Sequence, residues 1–349
     1  MTKFLKRGYD YFRNWSATGK YKNETDPETA QKPNYWLHAI LLFSTFITLS
    51  ISGLYRLNLI GPDIPFDISM FFMGFPYSVS LLAILGCHEF GHYFAAVYHR
   101  IKTSLPYFLP APPILLLFYV GTFGAVIRLH EAIKNRRQLV DIGAYGPIAG
   151  FAVAILVLII GAVTLPPIEY IYTIHANYRF LHEIPDTGAY VNGDALFFGK
   201  NIIFHLLTTY ILPYKIPMSE IYHYPLLLAG WIGLFITALN LLPFGQLDGG
   251  HILYAVAGKR IHLFISWSIA IVCLLAGLLG YAHLFFPESG IPKIWAGWLI
   301  WGLVLLFIIK PWHPPVIENG NLNKRRIVLA WISLFIFVLC FTPIPFDLQ

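Results

Sequence analysis

The chain has 349 residues, of which 57% are hydrophobic and 12% are charged, and its formal net charge is +6. Soluble domains carry about 25% charged residues, so this composition excludes an ordinary soluble protein and predicts one that crosses a membrane several times. The three cysteines, Cys87, Cys273 and Cys340, lie in apolar runs without a CxxC pair. They therefore predict neither a disulfide framework nor a thiolate zinc site.

The N-terminal segment, predicted over residues 1–34, is strongly basic. It contains no short apolar stretch followed by small residues, so we expect no cleavable signal peptide. Such a basic run is more typical of a segment retained on the cytosolic side of a membrane than of one that binds nucleic acid. We therefore expect a cytosolic N-terminus and no nucleic-acid partner.

Apolar runs of spanning length follow this segment. A membrane-spanning helix needs about 20 mostly apolar residues, and seven runs qualify, at residues 35–54, 76–98, 142–165, 224–242, 263–285, 294–310 and 327–343. Seven crossings place most Lys and Arg residues on the cytosolic side, as the positive-inside rule requires. We predict an all-α polytopic membrane protein with about six to seven transmembrane helices. The expected location is a bacterial inner membrane, with an organelle membrane as the alternative.

Two segments interrupt the predicted helices. Prolines break the start of the apolar segment 106–129, and Gly121 and Gly124 break its end. We expect a re-entrant β-hairpin or strand there, with a poorly formed extra span as the alternative, because such backbone is tolerated at membrane depth only inside protein or beside a water cavity. Residues 166–223 are predicted to form an extramembrane loop, in which Asp194 caps a surface helix over the apolar stretch 195–207.

The second candidate helix contains the sequence HEFGH at residues 88–92. Residues four apart share one face of a helix, so His88 and His92 can direct both imidazoles at one ion. Glu89 is rotated by about 100° and can reach a water on that ion. This is the His-Glu-x-x-His arrangement of zinc hydrolases, in which zinc lowers the pKa of the water and the glutamate takes its proton. The alternative is a chance match on an interfacial helix.

A catalytic zinc usually takes three protein ligands, and the sequence NLLPFGQLDGG at residues 240–250 offers the third. The predicted second and fourth helices run in the same direction, so Asp248, near the end of the fourth, reaches the depth of the two histidines. Pro243 is expected to break the helix just before it. For Asn240, a structural hydrogen bond and a catalytic role are equally consistent with the sequence. We expect His251 and His99 to be interfacial bystanders.

The two motifs, HEFGH and NLLPFGQLDGG in this order, resemble those of the site-2 protease family of intramembrane metalloproteases (peptidase M50 type). The resemblance extends to GTFGAVIRL (121–129), GAYGPIAGF (143–151), NGDALFFGKNIIFHLL (192–207) and WHPPV (312–316). It implies one zinc ion per chain, bound by the residues that match the family's ligands, His88, His92 and Asp248. It also implies that Glu89 is the general base and that Asn240 helps to polarise the substrate carbonyl.

The resemblance implies a zinc endopeptidase that cleaves within or near transmembrane segments of membrane proteins, with a protease core over residues 35–310 and a C-terminal loop and helix over 311–349. We expect the strand-like segment to accept unwound substrate by edge pairing. The predicted substrate-binding residues are Gly121, Thr122, Phe123, Gly124, Ala125 and Val126. The alternatives are another membrane-embedded zinc hydrolase, such as a prenyl-protein protease, and a non-catalytic metal-binding scaffold. The sequence leaves the oligomeric state open.

Overall fold

The computed structural model describes residues 34–57, 68–112, 120–175, 196–316 and 320–348, so most of the basic N-terminal segment lies outside the described residues. The helices are α1 (Tyr35–Arg56), α2 (Phe75–Tyr98), α3 (Arg136–Val163), α4 (Glu169–Ile174), α5 (Ile202–Tyr210), α6 (Pro225–Asn240), α7 (Asp248–Phe285), α8 (Trp298–Leu303) and α9 (Lys324–Cys340). The strands are β1 (Tyr107–Pro110), β2 (Thr122–Val126), β3 (Leu196–Phe198) and β4 (Phe346–Leu348).

Within the described ranges the protein is mostly helical, and four of the helices there are long and apolar enough to cross a membrane. These are α1, α2 with the turn before it, α3 and α7. Two shorter apolar helices are α6 and the continuous stretch Trp298–Ile309, which joins α8 to a π-helical segment. The predicted helical class is therefore confirmed together with candidate membrane spans, whereas the predicted number of six to seven spans is not. Helix α3 packs against α2, α6, α7 and α9.

The region around Asp248 differs from the prediction. Helix α6 ends at Asn240, and Asp248 is the first residue of α7, not part of the end of the fourth helix. The run predicted to begin near residue 263 is the second part of this long helix, which bends at Gly258, where φ is 81°. Pro243 lies in the turn between α6 and α7, as its missing N–H and fixed φ favour.

A small antiparallel sheet occupies the segment that was predicted to be a hairpin. Strands β1 and β2 pair antiparallel, with Tyr107 opposite Val126 and Phe108 opposite Ala125. Two hydrogen bonds anchor the hairpin to the neighbouring helices. The Thr48 hydroxyl donates to the Gly121 carbonyl oxygen (2.7 Å), and the Tyr77 hydroxyl donates to the Val120 carbonyl oxygen (3.0 Å). The predicted β-structure is thus present, and residues 113–119, between the two strands in the sequence, lie outside the described residues.

The segment predicted to be an extramembrane loop, residues 166–223, also contains a helix, but the helix begins later than predicted. Residues 196–198 form β3, which pairs antiparallel with β4 near the C-terminus, so they are not available to a helix. Helix α5 begins at Ile202, and Asn201 caps it by accepting a hydrogen bond from the Phe204 N–H (2.8 Å). The cap is therefore Asn201, and Asp194 lies outside the described residues.

Candidate active site

The structure brings the three predicted metal ligands together. His88 and His92 lie four residues apart on α2, and their Nε2 atoms are 3.0 Å apart. The Asp248 Oδ2 atom, at the N-terminus of α7, lies 3.3 Å from His88 Nε2 and 3.4 Å from His92 Nε2. Both imidazoles are buried, whereas the aspartate keeps partial exposure.

These distances fit a single tetrahedral ion. With zinc–ligand bonds of about 2.0–2.1 Å, adjacent ligand atoms of a tetrahedron lie about 3.3 Å apart. Two imidazole nitrogens and one carboxylate oxygen are a donor set of catalytic zinc sites, which leave the fourth position for water or substrate. The residues present at this site therefore fit zinc.

Helix α3 holds the two histidine rings in place. His92 Nδ1 donates to the Ile142 carbonyl oxygen at 2.7 Å, which leaves Nε2 free to bind an ion. Gly146 and Gly150 face the rings: a Cβ at Gly146 would collide with the His92 ring, and one at Gly150 would lie 3.1 Å from His88 Nδ1. The glycine-rich sequence at 143–151 thus lets α3 approach the histidines as closely as it does.

The predicted base and the predicted substrate strand lie next to each other. The Glu89 side chain is buried and lies against the backbone of Ile127, the residue after β2. In the described part of the chain β2 pairs only with β1, which leaves its other edge without a strand partner there. Phe123 and Val126 are 64% and 48% exposed on this strand, and the remaining predicted substrate-binding residues lie in or directly before it.

Asn240, the last residue of α6, lies at the edge of the metal centre. Its Nδ2 atom is 3.4 Å from His88 Nε2. Because the adjacent turn leads directly to Asp248, the end of α6 and the start of α7 present the amide and the carboxylate to the same histidine. The structure therefore places the Asn240 amide beside the predicted metal ligand His88.

A histidine cluster beside Asp248 was missed by the sequence reasoning. His251 lies one turn after Asp248, and its Nδ1 is 2.7 Å from His313 Nε2. The His313 ring stacks on Tyr254 at 4.3 Å between centroids, and burial lowers the pKa of His313 to about 3, so the imidazole is neutral. His251 is thus part of a packed cluster and not a bystander. In the sequence, only WHPPV (312–316) pointed to a feature here, and no helical period relates these residues to those of α7.

His99, also expected to be a bystander, belongs to a buried ion-pair network. Its Nε2 lies 2.7 Å from Asp141 Oδ2 at the start of α3. Arg326 of α9 donates through Nε to both Asp141 oxygens, at 3.0 and 3.1 Å. The network fastens the last helix to the end of the bundle at which α2 ends.

Most of this chain is similar to known proteins. The family model of peptidase family M50 matches residues 76–282. The probable zinc metalloprotease EGY2, chloroplastic, of Oryza sativa subsp. indica is 30% identical over 332 residues, which cover 92% of this chain and 52% of that protein. The probable zinc metalloprotease EGY1, chloroplastic, of Arabidopsis thaliana is 30% identical over 272 residues, 77% of this chain and 43% of that protein.

The chain thus spans about half the length of the curated relatives it matches. No solved structure matches it. The matched region contains His88, Glu89, His92, Asn240 and Asp248, and it confirms the family predicted from the two motifs: the chain belongs to peptidase family M50.

Proposed function

We propose that this protein is a membrane-embedded zinc endopeptidase that hydrolyses peptide bonds within or near transmembrane segments of other membrane proteins. The observation that carries the proposal is the convergence of His88 Nε2, His92 Nε2 and Asp248 Oδ2 within 3.4 Å of one another. The buried Glu89 is adjacent in the chain to His88. Membership of family M50 and relatives named as zinc metalloproteases support it.

Each residue has a role that follows from its position. His88, His92 and Asp248 would hold one zinc ion at this centre. When bound, zinc supplies Lewis acidity that lowers the pKa of a water and polarises a peptide carbonyl. Glu89 accepts a proton from the attacking water and delivers it to the leaving amide nitrogen. The Asn240 amide donates a hydrogen bond to the carbonyl oxygen as negative charge develops there.

The edge of β2 that has no strand partner in the described part of the chain suits a substrate that must be unwound. A transmembrane helix hides its peptide groups in its own hydrogen bonds, so cleavage requires local unwinding and other partners for the freed N–H and C=O groups. An extended segment added to an exposed strand edge gains those partners. We place the substrate along residues Gly121 to Val126, because Glu89 lies against the backbone directly after this strand.

Seven crossings are proposed: α1, α2, α3, α6, α7, the helix Trp298–Ile309 and α9. This arrangement puts the loop 166–223 and the C-terminal end on one side of the membrane, and β3 pairs with β4 there. It puts Asp141 and Arg326 on the other side, where they form an ion pair. The metal centre then lies toward the side on which Lys and Arg residues concentrate, the cytosolic side in the sequence-based orientation.

The multi-pass membrane location is supported by the apolar helices. The reported relatives are named chloroplastic, so they lend no support to the expected bacterial inner membrane. The proposed partners are the bilayer and transmembrane protein substrates, and no nucleic acid.

The test is Glu89→Gln, assayed on the purified chain in detergent with a library of labelled transmembrane peptides. Loss of the base should lower cleavage by about 10²- to 10⁴-fold and leave the zinc content unchanged. Cys87→Ala, at an exposed position beside His88, is the matched control. Cleavage retained in Glu89→Gln would remove this residue from the mechanism. Cleavage of only prenylated C-terminal peptides, or zinc binding without any cleavage, would favour the alternative functions.

A further inference from the structure

A second cluster of two imidazoles and a carboxylate lies at the other end of α6. His175 directly follows α4, whereas Glu220 precedes and His223 ends the short 3-10 turn before α6. The Glu220 Oε2 atom is 3.1 Å from His175 Nε2 and 3.5 Å from His223 Nε2. The two Nε2 atoms are 3.2 Å apart.

The cluster has the geometry of the candidate active site. In the described part of the chain, these are the two groups of three His, Cys, Asp or Glu residues whose ligand atoms lie within 4.8 Å of one another. Both have one nitrogen from each of two imidazoles and one carboxylate oxygen, separated by 3.0–3.5 Å. Adjacent ligands of a tetrahedral zinc ion lie about 3.3 Å apart, so the second cluster fits zinc as well as the first.

The side chains are fixed before any ion binds. His223 is fully buried and Glu220 is 1% exposed, whereas His175 keeps contact with the surface. The Ser219 hydroxyl donates to Glu220 Oε1 at 3.2 Å, so the other oxygen faces the imidazoles. Such outer hydrogen bonds orient the ligands of metal sites. The exposed side at His175 gives an ion and a fourth ligand, water, a path to the cluster.

A divalent cation would bind the buried Glu220 carboxylate oxygen that faces the imidazoles. It would also replace the contact between two imidazole nitrogens with two metal–nitrogen bonds. The two centres cannot share an ion, because α6 is 16 residues long and therefore spans about 24 Å at 1.5 Å per residue.

We propose that His175, Glu220 and His223 bind a second zinc ion, which fastens the end of α4 to the start of α6. The bound ion cross-links the extramembrane segment to the helix that carries Asn240 at its far end. The chain would then hold two zinc ions, where the sequence predicted one. This inference does not depend on the proposed protease activity.

The experiment measures zinc in the full chain, purified in detergent, saturated with zinc and desalted. Wild type should hold two equivalents, and a His88→Ala/His92→Ala chain should hold one. Adding Glu220→Gln, which keeps the side-chain volume and the bond to Ser219, should remove that last equivalent. His205→Asn, at an exposed histidine of the same loop, is the matched control and should change nothing.

Cobalt gives a second readout in the same His88→Ala/His92→Ala chain. Cobalt(II) should produce the visible absorption of a tetrahedral nitrogen–oxygen site, and His223→Asn should abolish it. Size-exclusion elution verifies that each variant is folded. The proposal is overturned if the His88→Ala/His92→Ala chain binds neither zinc nor cobalt, or if its bound metal survives Glu220→Gln. Neither result bears on the Glu89→Gln test, so the two proposals fail separately.

Discussion

The Asp248 Oδ2 atom lies 3.3 Å from His88 Nε2, although the aspartate begins α7 and the histidine belongs to α2. The candidate metal centre therefore depends on how the first turn of α7 packs in the bundle. His251, one turn later, holds that turn through its contact with His313. The third ligand is thus positioned by tertiary contacts, whereas the two histidines are positioned by the geometry of one helix.

Replacing Asp248 with alanine is expected to lower zinc affinity at the candidate active site by more than about 100-fold, because loss of an outer-shell partner alone costs 10- to 100-fold. Competition with a chelator series measures this affinity. The loss should amount to one zinc equivalent, since the cluster at Glu220 is about 24 Å away by the length of α6. Glu131→Ala, at a surface ion pair with Lys102, is the control. Unchanged metal affinity would point to another third ligand.

Gly146→Ala tests the contact between α3 and the His92 ring. A Cβ at this position would collide with the imidazole, so either the ring or α3 must move. We expect weaker zinc binding and a lower thermal midpoint of unfolding. Ala152→Val adds volume at an exposed position of the same helix and should affect neither. Wild-type zinc affinity in Gly146→Ala would show that the ring tolerates the displacement.

The parts of the centre that were predicted are those that follow from local spacing. The pair His88 and His92 needs only the 3.6-residue period of one helix. The start of α7 at Asp248 was not predicted, because Gly249 and Gly250 weaken a helix. The structure explains why glycine is needed at the start of this helix, since a Cβ at Gly249 would collide with the Leu241 carbonyl oxygen.

Other features have no local signal at all. The pairing of β3 with β4 joins two three-residue strands that lie far apart in the sequence. Neither strand is long enough to show the alternation of apolar and polar residues that predicts a strand. The cluster of His175, Glu220 and His223 likewise combines residues from separate segments. Long-range packing brings these three residues together, and no spacing in the sequence predicts that contact.

Val126→Pro tests the proposed role of β2 in substrate binding. Proline removes one backbone N–H from the strand and fixes φ, so an extended substrate would pair less well along it. Cleavage of transmembrane peptides should fall, and zinc content should stay at the wild-type value, because Val126 contacts none of the ligands. Val126→Ala keeps the N–H and separates the backbone effect from the side-chain effect. Equal turnover in the proline variant and wild type would argue against edge pairing.

Asp141→Asn tests the network that fastens α9 to α3. The carboxylate accepts from Arg326 through both oxygens and contacts His99, and all three side chains are largely buried. Removing one partner of a buried pair leaves a desolvated charge and costs about 3–5 kcal/mol. We expect a clear drop in the unfolding free energy of the detergent-purified chain, as measured by denaturant titration.

The exposed pair Lys102 and Glu131 provides the comparison for that measurement. Lys102 is 79% exposed in its side chain, and surface pairs contribute about 0–1 kcal/mol, so Lys102→Ala should change stability little. Combining Asp141→Asn with Arg326→Gln completes a double-mutant cycle, in which the second change should cost less than it does alone because the partner charge is already lost. Additive effects of the two substitutions would mean that Asp141 and Arg326 do not stabilise the contact between α3 and α9 as a pair.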